Sequence, residues 1–202
     1  MNENSLVDLP VVILAAGAAR RFGQIKQLMP WGPFTVLGSV IQAAMVSGLR
    51  PVYVVLGANR EHILPVLERE NLQILINEAW EEGQGSSLRL AALSVDPKAK
   101  GFITLLGDQP QISPTLIRAV ALEGIRSGKV VRPLHGDKRG HPVFFPNQSF
   151  GMLRHLTAEQ SGRDVVRAYE NTLIEWFDEG MSLDMDTPED YQRLKQAYGL
   201  DD

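Results

Sequence analysis

Short apolar runs of strand-forming residues alternate with helical stretches along most of this chain, and that alternation restricts the fold more than any other feature. The runs "VVILAA", "VYVVLG", "LQILIN", "FITLLGD" and "KVVRPL" are separated by "TVLGSVIQAAMVSGL", "REHILPVLERE", "SSLRLAALSV" and "TLIRAVALEGIRSG". A connection long enough to hold a helix is what a parallel crossover needs, so the pattern predicts an α/β fold with a mostly parallel sheet. Val52 to Leu56 and Phe102 to Leu106 are apolar almost throughout, as expected of strands covered by helices on both faces. Gly48, Pro51, Gly57, Gly101 and Pro110 fall at the joints and read as punctuation.

The last third reads differently. "GHPVFF" and "TLIEWFD" are expected strands, and "SGRDVVRAY" is an expected helix with Ser161 as its N-cap. "DTPEDYQRLKQAY" closes the chain as a helix capped by Asp186 or Thr187, with Pro188 just inside and Tyr191, Leu194 and Tyr198 toward the core. With 202 residues, 44% of them hydrophobic, one sizeable core is expected, hence one domain over residues 1–202. The 20 Lys and Arg against 24 Asp and Glu leave a net charge of −4, which provides no global field for nucleic acid or an anionic membrane. The absence of cysteine removes thiolate chemistry and zinc-thiolate sites. Neither a basic leader nor an apolar run of spanning length is seen, so the expected location is the cytoplasm.

The first strand runs into "LAAGAARRFGQIKQL". In an open α/β sheet this first strand-to-helix turn is where phosphate commonly binds. Ala15, Ala16, Gly17, Ala18 and Ala19 leave the backbone open to close approach, and Arg21 and Lys26 supply charge. The spacing fits neither familiar phosphate loop. Five residues separate Gly17 from Gly23, and Lys26 is followed by Gln27, which fails the P-loop; Gly17 lacks the second glycine of a dinucleotide fingerprint.

Three further stretches carry polar groups that chemistry can use. "LLGDQP" ends a strand with Asp108, either a Mg²⁺ ligand or a turn residue capping the helix near Pro114. "SLDMDTPEDY" places Asp184 and Asp186 on one face if the segment is extended, with Asp186 either a metal ligand or a helix cap. In "NEAWEEGQGSSLRL", Ser86 or Ser87 caps a helix or meets a base or ribose. His141, before an apolar strand, is either a structural hydrogen-bonding group or part of a site.

The opening stretch resembles the L-A-[AG]-G-x-S-x-R-M-G-x-x-K-x-L signature of the MobA-like nucleotidyltransferases, with Gly17, Arg21, Gly23, Lys26 and Leu28 in place. Ala19 stands where Ser is usual and Phe22 where Met is usual. The chain is most similar to the family's molybdenum cofactor cytidylyltransferase branch, through "GDQP", "D-x-D-T-P-E-D", "GHPV" and the match at Asn77, Trp80, Gly83, Gly85, Ser86, Ser87 and Leu88. "SGRDVVRAY" departs from that branch's G-D-x-G-A-R.

The resemblance implies a Rossmann-like three-layer sandwich, a nucleotide-binding part over about residues 10–110 and an acceptor-binding part over about 111–202. It implies that Arg21, Lys26 and Asp108 are catalytic, and that Leu14, Ala15, Ala16, Gly17, Asn77, Gly83, Ser86 and Ser87 join Arg21 and Lys26 around the nucleotide. Gln109, His141 and Arg163 would meet the acceptor, while Asp108, Asp184 and Asp186 would hold Mg²⁺. The implied reaction is cytidylyl transfer from CTP to phosphorylated molybdopterin, with a molybdoenzyme apoprotein as the expected partner. A phosphate monoester needs no general base to attack, which suits a chain with no nucleophilic triad. Guanylyl transfer from GTP, transfer to another phosphorylated acceptor, and a nucleotide-binding cofactor-delivery protein are the alternatives. An alcohol acceptor would need a base, for which His141 is the candidate.

Overall fold

The computed structural model describes residues 8–67 and 72–200. The leader reading of residues 1–7 and the end of the "REHILPVLERE" stretch lie outside the described residues. In chain order the strands are β1 (Val11–Ala15), β2 (Pro30–Trp31), β3 (Phe34–Thr35), β4 (Val52–Leu56), β5 (Leu72–Ile76), β6 (Gly101–Leu106), β7 (Val130–His135), β8 (Lys138–Arg139), β9 (Val143–Pro146) and β10 (Asn171–Glu175). The helices are α1 (Val36–Val46), α2 (Arg60–Ile63), α3 (Gln84–Ser94), α4 (Pro114–Ser127), α5 (Phe150–Arg154), α6 (Gly162–Ala168) and α7 (Pro188–Ala197).

The eight-stranded sheet has the order β10-β7-β9-β6-β1-β4-β5, with β8 paired to β7. β1 lies between β4 and β6, parallel to both, with Leu14 opposite Val55 and Leu106. The carboxyl ends of β1 and β6 are therefore neighbours. β9 runs antiparallel between β6 and β7, and β10 is parallel to β7. The sheet is mixed and mostly parallel, as the alternation predicts.

Period-two alternation divides the strand residues between two cores. Ile13, Val54 and Leu105 pack with Leu37 and Ile41 of α1 and Leu116 and Val120 of α4. Val12, Val55 and Phe102 pack on the other face with Leu88 of α3, Leu153 of α5 and Val165 of α6. Each such large side chain, fully removed from water, is worth about 1.5–3 kcal/mol before the entropy of ordering it. These three layers hold the strand ends rigidly. A smaller cluster of Phe22, Trp31, Val36, Met185, Tyr191 and Leu194 joins the opening loop, the β2–β3 hairpin and α7. The Tyr191 hydroxyl donates to Pro30 O at 2.6 Å, fixing the segment around Asp186 against the first loop.

Several local expectations are corrected. Pro65 removes an amide from the helix expected over 60–70; α2 stops at Ile63 and a 3₁₀ turn covers Leu64–Val66. α3 starts at Gln84 with Gly83 as its N-cap at φ 103°, so neither Ser86 nor Ser87 is the cap. Ser113 caps α4 by accepting from Leu116 N, which leaves Asp108 out of the capping role. Thr187, paired with Asp190 in a capping box, caps α7 and leaves Asp186 free of it. The Asp184–Asp186 segment joins no strand, yet both carboxylates line one cleft. Tyr191 and Leu194 are buried as expected, but Tyr198 is partly exposed. Among the described residues no helix is long and apolar enough to cross a membrane.

Candidate active site

The loop after β1 is tied down from behind. Gln27 Nε2 donates to Ala15 O at 3.3 Å and Gly17 O at 3.2 Å, while Ala58 N donates to Ala16 O at 3.0 Å. Gly17 itself is exposed, and a Cβ built there would meet nothing within 4 Å. The loop thus presents bare backbone to open space while its carbonyls are anchored underneath.

Lys26 is only 8% exposed, and its ammonium is the hub of the site. It donates to Asp108 Oδ2 at 2.5 Å and Met185 O at 3.0 Å, and lies 3.6 Å from Asp186 Oδ1. Arg21 Nη2 donates to Asp186 Oδ2 at 2.7 Å from a largely exposed side chain. Asp184 stands at the rim and accepts from Gln109 Nε2 at 3.2 Å. Although Asp184 remains accessible, partial desolvation of its carboxyl, then the charges of Asp108 and Asp186, raise it above the ordinary carboxylate value. Three carboxylates here face two cations, Lys26 and Arg21, so negative charge is in excess.

Two clefts meet at this cluster. The first, about 470 Å³, is lined by the Leu14–Arg21 loop, Lys26, Gly83, Ser87, Asp108 and Asp186. The second, about 320 Å³, has an apolar floor that includes Leu106, Val143 and Phe145 and a polar rim that includes Gln109, His141, Arg163 and Asp184. Asp108 and Asp186 line both. Burial, then Arg132 and Arg163, push His141 down to about 4, so its ring is neutral at physiological pH.

The residues expected around a nucleotide and an acceptor are thus brought to one sheet edge, with two exceptions. Asn77 and Ser86 are buried behind the wall of the first cleft and do not line it. Asn77 Nδ2 donates to Ser86 Oγ at 2.8 Å and Ser87 Oγ at 3.0 Å, and Ser86 Oγ donates to Gly83 O at 2.7 Å. They hold the Gly83 turn from behind the wall. Gln109 reaches the second cleft, but its amide NH₂ is committed to Leu183 O and Asp184. Gln27, Arg132 and Arg139 were not expected. Gln27 left no signal, whereas Arg132 interrupts the apolar run "KVVRPL" at a strand position and so betrays a polar environment.

The residues fit a hard divalent cation by their chemistry. The oxygens of Asp108, Asp184 and Asp186 carry the excess negative charge, although no group of three or more His, Cys, Asp or Glu among the described residues has metal-site geometry. Mg²⁺ needs only one or two protein carboxylates when phosphates and water complete its shell.

The chain is 28% identical to nicotine blue oxidoreductase of Paenarthrobacter nicotinovorans, over 96% of this chain and 100% of that protein. It is 25% identical to molybdenum cofactor cytidylyltransferase of Escherichia coli, over 93% and 95%. Rv0371c of Mycobacterium tuberculosis has the same fold at TM-score 0.82 and 28% identity, covering 95% of this chain and 99% of that one, and its manganese complex matches at TM-score 0.77 with 27% identity, over 94% and 99%. The MobA-like NTP transferase domain matches residues 11–172, a span that holds the anchored loop, Lys26, Asp108 and most of both clefts, and the chain belongs to that family of nucleotidyltransferases.

Proposed function

We propose that this protein transfers a cytidylyl group from CTP to a phosphorylated acceptor, molybdopterin, and releases pyrophosphate. One observation carries the reading: two clefts share a wall made of Asp108 and Asp186, with Lys26 bridging them. The first cleft takes the nucleotide and the second the acceptor, with residues from both sides of position 110 lining each. In the bond change, an acceptor phosphate oxygen attacks the α-phosphorus, the bond from that phosphorus to the bridging oxygen breaks, and pyrophosphate leaves with the electron pair.

The acceptor oxygen is already anionic at neutral pH, so no base is required. His141, lowered to about 4 by burial and by Arg132 and Arg163, is neutral at physiological pH, and a phosphate acceptor does not call on it as a base. The loop amides face the phosphates, and Arg21 and Lys26 offset charge as the pyrophosphate forms. Asp108 and Asp184, with Asp186 beside them, would hold Mg²⁺, which when bound supplies charge neutralisation at the phosphates. The manganese complex of Rv0371c supports a divalent ion. The Escherichia coli relative supports CTP and the molybdenum cofactor. GTP and other phosphorylated acceptors are the near rivals. In this reading the protein is cytoplasmic and hands its product to a molybdoenzyme apoprotein.

The name of the Paenarthrobacter relative favours a second reading, in which a redox dinucleotide spans both clefts. Incubation with Mg²⁺ and each of CTP, GTP, ATP and UTP, with and without molybdopterin extract, separates these. Pyrophosphate release that needs CTP and extract together supports cytidylyl transfer. Oxidation of NADH or NADPH without pyrophosphate release refutes it.

A further inference from the structure

Three arginines converge on the second cleft, and none of the carboxylates that also line it, Asp108, Asp184 and Asp186, pairs with them. Arg132 of β7, Arg139 of β8 and Arg163 of α6 all line it, and among the described residues none of them makes an ion pair. Arg132 is half-buried and its Nε has neither protein partner nor solvent. A buried donor without a partner is costly, and like charges gathered in one cavity add to that cost. Burial, then Arg139 and Arg163, hold the Arg132 guanidinium below its usual value, the sign of a cluster lacking its counter-charge.

The position of this cluster matters as much as its sign. β7 lies two strands from β6, with β9 between. At about 4.8 Å per strand, Arg132 stands about 10 Å across the sheet from the strand that leads to Asp108. Leu106, Val143 and Phe145 form an apolar floor between the two ends.

We propose that Arg132, Arg139 and Arg163 form an anion site for a second negative group of the acceptor. The acceptor is then a molecule with two anionic groups; molybdopterin, whose pterin end is neutral, meets this only through its dithiolate. Its phosphate lies beside Asp108 and its second negative group lies against the guanidiniums. This deepens the transfer reading and rests on it for the word acceptor, but the anion site itself does not depend on catalysis.

The test uses sulfate as the probe and the His141 ring as the reporter, because Arg132 and Arg163 are close enough to perturb that ring. Sulfate is titrated into the full chain at low ionic strength while the His141 NMR signal is followed, assigned with His141→Gln. The expected result is a saturable shift that is at least about tenfold weaker in Arg132→Met and in Arg139→Met, since each removes charge-assisted hydrogen bonds. Arg139 is exposed, so its variant keeps the test intact if Arg132→Met fails to fold. Lys26→Met is expected to leave the shift unchanged. An unmoved His141 signal, or equal affinity in wild type and Arg139→Met, overturns the site. Saturable sulfate binding in a protein that releases no pyrophosphate supports the site while removing the transfer reading.

Discussion

Replacing Lys26 by Met keeps the volume of the side chain and deletes the charge at the hub of the site. The ammonium that is lost lies 2.5 Å from Asp108, 3.0 Å from Met185 O and 3.6 Å from Asp186. Removing one partner of a fully buried pair costs about 3–5 kcal/mol, and an exposed pair about 0–1. The Lys26 side chain is 10% exposed and that of Asp108 is 24%, so the cost here is placed between these limits, at about 2 kcal/mol. For a chain of this length that lowers the Tm by about 4–8 °C, which circular dichroism resolves. Activity should fall further than stability. Loss of a group aimed at developing charge costs about 10²–10³ in kcat, measured as pyrophosphate release well below the Tm. Added Mg²⁺ should recover part of the Tm by replacing the missing cation, and none of the rate. A folded Lys26→Met protein with wild-type kcat would refute the role of this hub.

Asp108→Asn is close to isosteric and should remove turnover by a factor of about 10³ or more while the far-UV spectrum is unchanged; near-normal turnover would remove Asp108 from the metal-binding and catalytic set. Gly17→Val should leave the Tm within about 2 °C of wild type, because a Cβ there meets no atom within 4 Å and Gly17 is not among the glycines with positive φ. The same change should weaken nucleotide binding by filling the space the phosphates need, and calorimetry with equal Kd in both proteins would count against the first cleft. His141 is held near 4 in the folded protein against 6.5 when free. The folded state therefore binds fewer protons than the unfolded one below pH 6.5, and stability falls between pH 6.5 and 4, by roughly 3 kcal/mol for this group. Urea melts at pH 7.5 and pH 4.5 should show a smaller loss in His141→Gln than in wild type.

The parts of this molecule that are local in sequence were legible there. Buried strands, crossover helices and the open loop after β1 follow from periodicity and from small residues at a strand end, whereas its anchor, Gln27, left no signal. Helix cover on both faces of the sheet follows from runs such as Val52 to Leu56 that are apolar throughout. What was hidden is what depends on contacts across long separations. Asn77 has the side chain of a ligand-binding residue, yet its amide is satisfied by Ser86 and Ser87 behind the wall, and only the fold shows that. Asp186 and Thr187 both fit the cap of the last helix from sequence; the capping box with Asp190 selects Thr187, and Asp186 pairs with Arg21 and Lys26. Pro65 is a helix breaker legible in the sequence, and α2 ends two residues before it. The arginine cluster was invisible because Arg132, Arg139 and Arg163 come from two strands and a helix.

The transfer of label from [α-³²P]CTP tests the central claim most directly. The protein is incubated with Mg²⁺, labelled CTP and a molybdopterin extract, and the products are separated by charge and size. The account predicts that label appears on the acceptor in step with pyrophosphate release, and that Asp108→Asn abolishes both. Label that remains on CTP, with tight nucleotide binding and every other nucleotide equally inert, would contradict it.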